Sequence, residues 1–270
     1  MSEGAESRPS TAPVLGPRWG ARAADWAQLA APISVPAWEA VLEATGTGAG
    51  TRLLDVGCGS GEFCRLAAAR GALVSGIDAA EELIEIARRL VPGADLRVGP
   101  MERLPWDDGS FGVVTGFNAF QFAADMLGAL EEAKRVARRG GQVAICNWSR
   151  PEASALVAVM GALRDLQPPA PSGARQPDRP AVGEPGVLEA LAVEAGLEPG
   201  ESGEVDVPFE APDEETLVRA LLAPGGALPA IEHSGEEAAR NAIRDASAAF
   251  RRPDGSYRIE NTFRYLIARA

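Results

Sequence analysis

Leu53-Leu54-Asp55-Val56-Gly57-Cys58-Gly59-Ser60-Gly61 decides the fold: an apolar strand runs into three glycines at alternating positions, and a helical pattern follows at once. Glycine suits such a turn because its missing Cβ permits positive φ and lets the backbone approach a ligand. The stretch points to a nucleoside-bearing cofactor lying across the first strand-to-helix turn of an α/β sheet. An ordinary tight turn is the plainer alternative. Spacing separates the cofactors. A dinucleotide fingerprint, G-x-G-x-x-G, puts its third glycine where the helix closes on the strand and a pyrophosphate meets the helix N-terminus. In this chain that position is Glu62, and Gly61 falls one residue early. A carboxylate at the mouth of a pyrophosphate site repels its ligand, a penalty that a phosphate-free cofactor escapes.

Outward from this stretch, short β-rich runs alternate with helical patterns, the signature of a parallel sheet covered by crossover helices. The pattern predicts strands at 52–56, 72–77, 95–98, 112–117 and 142–147. Between them Leu83, Ile86, Ala87 and Leu90 recur at helical spacing, as do Met126, Leu130, Ala133 and Ala137. Asp78 ends the second strand, 21 residues after Gly57, where an acid can accept both hydroxyls of a ribose. Capping the helix that begins at Ala79 is its other reading, and the two are compatible.

Beyond Trp148 the regularity changes. A helix is expected from Glu152 to Gln167, then a proline-rich break from Pro168 to Gly173. Glu184-Pro185 opens another helix that Gly196 ends. Val205 to Phe209 reads as a strand, Asp213 as the cap of a helix at 214–222, and Ser234-Gly235-Glu236-Glu237 as a capping box before 238–250. After a turn at Pro253-Asp254-Gly255, the segment from Tyr257 to Ile267 mostly alternates like a final antiparallel or edge strand.

A chain of 270 residues suits one domain with insertions. Its net charge of −12, with Lys134 the sole lysine, argues against nucleic acid as the usual partner. The odd cysteine count, Cys58, Cys64 and Cys146, has no metal-ligand spacing and fits a reducing cytoplasm. Residues 1–15 lack a basic start and an apolar core, and read as a disordered tail. The apolar run from Ala155 is too short to span a bilayer, and that from Leu217 is broken by Pro224-Gly225-Gly226. A small-molecule partner is expected, with neither membrane nor metal, and a homodimer is left open.

Asp55-Val56-Gly57-Cys58-Gly59-Ser60-Gly61, Gly76-Ile77-Asp78, Leu104 to Phe111 (LPWDDGSF) and Arg139-Gly140-Gly141 together resemble successive motifs of the class I S-adenosylmethionine (SAM) methyltransferases, in particular the small-molecule methyltransferases of ubiquinone and menaquinone biosynthesis. The likeness is good over about residues 20–150 and limited to element order beyond. It implies a Rossmann-like seven-stranded sheet, mostly parallel with the last strand antiparallel, and helices on both faces. It also implies a helical lid at 16–50, a SAM-binding core at 51–150, and acceptor-binding helices and C-terminal strands at 151–270. By the same likeness, Gly57 and Gly59 approach the methionine part of SAM, Asp55 orders the loop and the ammonium, and Asp78 with Ala79 meets the ribose. Met101 and Glu102 would face adenine, Phe117 and Asn118 would lie near the sulfonium, and Trp26 would close the site.

There are departures. Gly99-Pro100-Met101 replaces the family's usual Gly-Asp-Ala, and Pro100 has no N–H to donate. Gln121-Phe122 stands where a pair of histidines is common, which removes one candidate base. His233 and Gln121 remain as catalytic candidates, with Asp125 and Tyr257 behind them. A sulfonium methyl needs alignment and exclusion of water more than it needs a base, so the reading is methyl transfer to a small apolar or aromatic metabolite, O-methylation first. The other enzymatic reading is cyclisation, elimination or decarboxylation on the same fold without net transfer. A cofactor-retaining binding module and a nicotinamide enzyme follow, the latter disfavoured by Glu62.

Overall fold

The run that opens the argument is strand β1 (Arg52–Val56), with four of its five residues buried, as a parallel strand covered on both faces requires. The computed structural model describes residues 9–169 and 180–270. β2 (Leu73–Asp78) and β4 (Phe111–Phe117) flank β1 in parallel, with Leu54 opposite Ser75 on one side and Val114 on the other. β3 (Asp95–Val98) lies outside β2, and β5 (Ala137–Trp148) outside β4. β9 (Thr262–Arg269) runs antiparallel between β5 and β6 (Glu198–Asp206), so the order is β3-β2-β1-β4-β5-β9-β6. β7 (Phe209–Ala211) and β8 (Tyr257–Ile259) form a separate ribbon. This is the seven-stranded, mostly parallel sheet that the sequence implies.

Successive residues of a strand face opposite sides, and the core divides accordingly. Leu53 packs with Trp38, Phe63, Ile84 and Ala87 on one face; Leu54 packs with Leu130, Ala133 and Leu188 on the other. A third core, built around Leu156, Phe209, Leu217, Val218, Ile243 and Ile259, lies in the C-terminal half. At the end of β4, Gly116 leaves room for Phe120, since a Cβ at Gly116 would come within 2.4 Å of that ring. Phe120 is 1 % exposed, and burying a side chain of this size stabilises by about 1.5–3 kcal/mol. It fixes the turn that carries Asn118 and Gln121.

Several expectations need correction. The chain is already helical at Ala12–Gly20, with Pro13 in the first turn, where proline's fixed φ favours a helix start. The expected tail boundary at 15 therefore falls inside a helix, and residues 1–8 lie outside the described residues. The helix expected at 152–167 is α-helical only at Ala155–Gly161, between short 3-10 turns. The proline-rich break lies largely outside the described residues, and the next helix starts at Val187, two residues after Pro185. The strand expected at 205–209 is divided by Val207-Pro208 between β6 and β7, because Pro208 has no N–H for a ladder.

No capping box forms at Ser234. Its hydroxyl donates to the Leu166 carbonyl at 2.9 Å, while Gly235 separates helices Leu228–Ser234 and Glu236–Ser247. Asp213 does cap its helix, accepting from the Thr216 amide at 2.7 Å. β9 is interior, and the strongly charged β6 takes the edge. β5 begins five residues earlier than the apolar pattern shows, and its register shifts between Phe111 and Val113. Among the described residues, no helix is long and apolar enough to cross a membrane.

Candidate functional site

Strand order reverses between β1 and β4, and α/β sheets hold ligands at the carboxyl ends flanking such a reversal. A cleft of about 130 Å³ lies there. The Gly57 and Cys58 amides donate to the Ile77 carbonyl at 2.8 and 3.0 Å, which ties the turn after β1 to the end of β2. Gly57 has φ +73°, and a Cβ there would lie 2.6 Å from the Ala119 Cβ. Gly59 has φ +52° with the Trp26 indole Nε1 against it. Asp78 sits across from this turn. One carboxylate oxygen accepts from the Gly59 amide and the other from the Ala80 amide, each at 2.9 Å. Asp78 thus pins the glycine loop, and the residue at the helix N-cap is Ala80.

Each Asp78 oxygen keeps a lone pair for a further donor. Burial pushes this carboxyl up, and the amides of Ala80 and Gly59 oppose the shift. Asp55 is 3 % exposed and accepts from the Thr115 hydroxyl at 2.7 Å. Burial raises its pKa to about 7, against the Thr115 hydrogen bond and with a contribution from Asp78. Glu62 is also pushed up by burial while its carboxylate accepts from Ser60 at 2.8 Å.

Every residue that the resemblance assigns to cofactor lines this one cleft: Trp26, Asp55, Gly57, Gly59, Asp78, Ala79, Met101, Glu102, Phe117 and Asn118. Glu102 is more constrained than expected, since its carboxylate accepts from the Ala124 amide at 2.8 Å and the Ser10 hydroxyl at 3.1 Å. Ser10, with Thr11 donating to the Phe122 carbonyl at 2.7 Å, straps the first described residues across the cleft. Sequence reasoning missed this strap because Ser and Thr in a Pro- and Gly-rich terminus carry no periodic signal. It also missed Thr115, a polar residue on a strand read only for its apolar positions.

A second cavity, of about 730 Å³, adjoins the first. Trp19, Trp26, Ser34, Asn118 and Phe122 line both. Its other walls come from Ile33, Trp148, Leu156, Met160, Phe209 and Phe263, with Gln121, Arg164 and Gln167 among the polar residues. Trp148 and Phe263 meet edge to face at 4.5 Å. Gln121 is thus at the cavity, whereas His233 is exposed on its helix and lines neither space. That position does not support a base role for His233. Asp125 caps a helix at the Gly128 amide, and buried Tyr257 also lines neither cavity. Among the described residues, no group of His, Cys, Asp or Glu is arranged to hold a metal ion.

The family model described as a methyltransferase domain matches residues 54–145. A ubiquinone biosynthesis O-methyltransferase from Bordetella bronchiseptica is 36% identical over 167 residues, covering 59% of this chain and 67% of that protein. In fold the chain is similar to a crystal structure described as a putative methyltransferase from Bacillus halodurans C-125, with TM-score 0.58, 17% identity, and 86% and 97% of the two chains covered. It is also similar to a crystallised cyclase, SpnF, with TM-score 0.53 and 22% identity, covering 86% of this chain and 79% of that one.

Proposed function

The chain belongs to the class I SAM-dependent methyltransferase family, and from that membership we propose that it moves a methyl group from SAM to a small apolar or aromatic metabolite, with oxygen as the receiving atom. The apolar cavity that shares a wall with the cofactor cleft carries this reading. Its size and lining suit an organic molecule of drug-like dimensions.

The cleft's chemistry suits SAM. Four carboxylates line it, Asp55, Glu62, Asp78 and Glu102, which favours a cationic ligand with ribose hydroxyls and opposes a pyrophosphate. In this reading Asp78 accepts the ribose hydroxyls, Gly57 and Gly59 give the methionine part its backbone bed, and Asp55 faces the ammonium. Met101 and Glu102 flank adenine. Phe117 lines the cleft, and Asn118 beside it stands where the two cavities meet. SAM, when bound, supplies a methyl activated by the positive sulfur. The protein's share is then alignment, which can lower a barrier by as much as ~7–11 kcal/mol, and exclusion of water. Trp19 and Trp26, stacked edge to face at 4.9 Å, cover the junction.

Asp55 makes binding pH-dependent. Its carboxyl titrates near 7 in the free protein, and an ammonium beside it favours the ionised form, so SAM binding expels a proton below that pH. Affinity should rise with pH through about 7 and level off above. Calorimetry at about pH 6.5 in buffers of different ionisation enthalpy should show buffer-dependent heat in the native protein and none in Asp55→Asn. Equal heats in all buffers for the native protein would remove Asp55 from the ammonium. The folded-state pKa is raised, so Asp55's stabilising contribution to the free protein is complete at acid pH and is lost as pH rises through about 7.

The reaction itself is tested by incubating SAM-loaded protein with a panel of phenolic and enolic apolar compounds. A product heavier by one methylene, with S-adenosylhomocysteine released, supports transfer. A rearranged product of unchanged mass with intact SAM would instead support cyclisation on this fold, and one lighter by a lost small molecule would support elimination.

A further inference from the structure

Two carboxamides, Asn118 at the junction of the cavities and Gln121 in the larger one, are both oriented by the protein, and both in the same sense. Asn118, the only non-glycine residue at positive φ among the described residues (+49°), follows β4 and lines both cavities. Its Oδ1 accepts from the Trp148 amide at 3.1 Å. Gln121 lines the larger cavity, and its Oε1 accepts from Asn147 Nδ2 at 3.0 Å. Turning Asn118 around would set donor against donor at Trp148. Turning Gln121 and Asn147 together would bury an unpartnered NH2 on Asn147, which is 1 % exposed, in place of the single unpartnered Oδ1 found there. Each side chain therefore turns its oxygen to a protein donor and keeps an NH2 without a partner among the described residues.

The rest of the larger cavity's polar lining is Ser34, Arg164, Gln167 and the Trp19, Trp26 and Trp148 indoles. Among the described residues it contains no carboxylate and no imidazole. A wall made this way cannot take a proton from a hydroxyl or an ammonium. It can hold an oxygen that already carries negative charge.

We infer that Asn118 and Gln121 form a donor cradle that selects the acceptor as a phenolate or enolate, with Asn147 and the Trp148 amide as positioning groups. The inference rests on the methyltransferase reading above and names the substrate class of that same site. The proton leaves to solvent when the acceptor binds as its anion. The oxyanion then bonds to the methyl carbon with its own electron pair as the carbon–sulfur bond breaks, and neutral S-adenosylhomocysteine is left. No protein base is needed, which agrees with Gln121-Phe122 standing in place of histidines.

The test uses 4-nitrophenol, whose colour reports its ionisation, titrated in the presence of full-length protein saturated with S-adenosylhomocysteine, so that no sulfonium charge contributes. The bound phenol's pKa should fall by about one unit, the scale of a charge-assisted hydrogen bond. Gln121→Glu keeps the bond from Asn147 and converts the donor into an acceptor, so it should abolish or reverse the shift. Asn118→Asp, which tolerates positive φ, should do the same. Among the described residues Arg164 is the one cation lining the cavity and would itself lower a phenol's pKa, while Asp55, Glu62, Asp78 and Glu102 of the adjoining cleft all push it up. Arg164→Gln removes that share, and with the cradle intact a fall should still remain.

An unshifted pKa, a shift that disappears with Arg164 and survives Gln121→Glu, or no binding of the phenol to the loaded protein would overturn the cradle while leaving the methyltransferase reading intact. Failure of S-adenosylhomocysteine itself to bind, measured first by calorimetry, would take down both.

Discussion

Asp78→Ala is expected to weaken SAM binding by roughly 100-fold or more, the loss of two hydrogen bonds to a charged group at about 1.5–3 kcal/mol each. The expectation has two physical parts. The carboxylate would accept the ribose hydroxyls, and it already holds the Gly59 and Ala80 amides at 2.9 Å, so its removal also loosens the glycine loop. The fold should survive, because the same change relieves a carboxyl that burial pushes up. Calorimetry for affinity and thermal melts for folding separate the two. Full SAM affinity in a folded Asp78→Ala protein would sink the placement of the nucleoside in this cleft.

The second large effect is at Gly57. Alanine there must hold φ +73° and bring its Cβ to about 2.6 Å from that of Ala119. The left-handed backbone costs roughly 1–2 kcal/mol and the overpacking ~1–3 more. For a chain of this size the melting temperature should fall by roughly 10 °C, with SAM binding lost as the loop shifts. Gly50→Ala is the matched comparison, at φ +78° with nothing within 4 Å of the added carbon. It should show the backbone cost alone and leave SAM affinity unchanged. A Gly57→Ala protein that melts and binds like Gly50→Ala would show that the turn has slack which its packing against Ala119 denies.

The sheet was legible because its signals are local. β1, β3 and the helix at 214–222 fall where the sequence pattern puts them: β1 is covered on both faces and reads as an apolar run, β3 is a short edge strand in the alternation of strands and helices, and Asp213 caps the helix. β6 was not, because Glu198 to Asp206 is a charged, glycine-containing edge strand whose pairing with β9 spans some sixty residues. The cleft was legible for a similar reason: glycines at positive φ and an acid at the end of the next strand are requirements of backbone geometry. The acceptor side was not. Gln121 takes its direction from Asn147 and Asn118 from the Trp148 amide, partners 26 and 30 residues away, and no spacing rule links them. His233 drew attention as the lone histidine, and its exposed helix shows how little a residue's rarity says about its place.

The wall common to the two cavities has an evolutionary consequence. Trp19, Trp26, Ser34, Asn118 and Phe122 face both spaces, so under the proposed function any substitution among them that reshapes the acceptor's chamber also disturbs the seat of the methyl donor. Met160, Arg164, Phe209 and Leu221 face the larger space alone. Divergence toward new substrates should accordingly concentrate on that far wall, where a change of appetite leaves the donor's seat untouched.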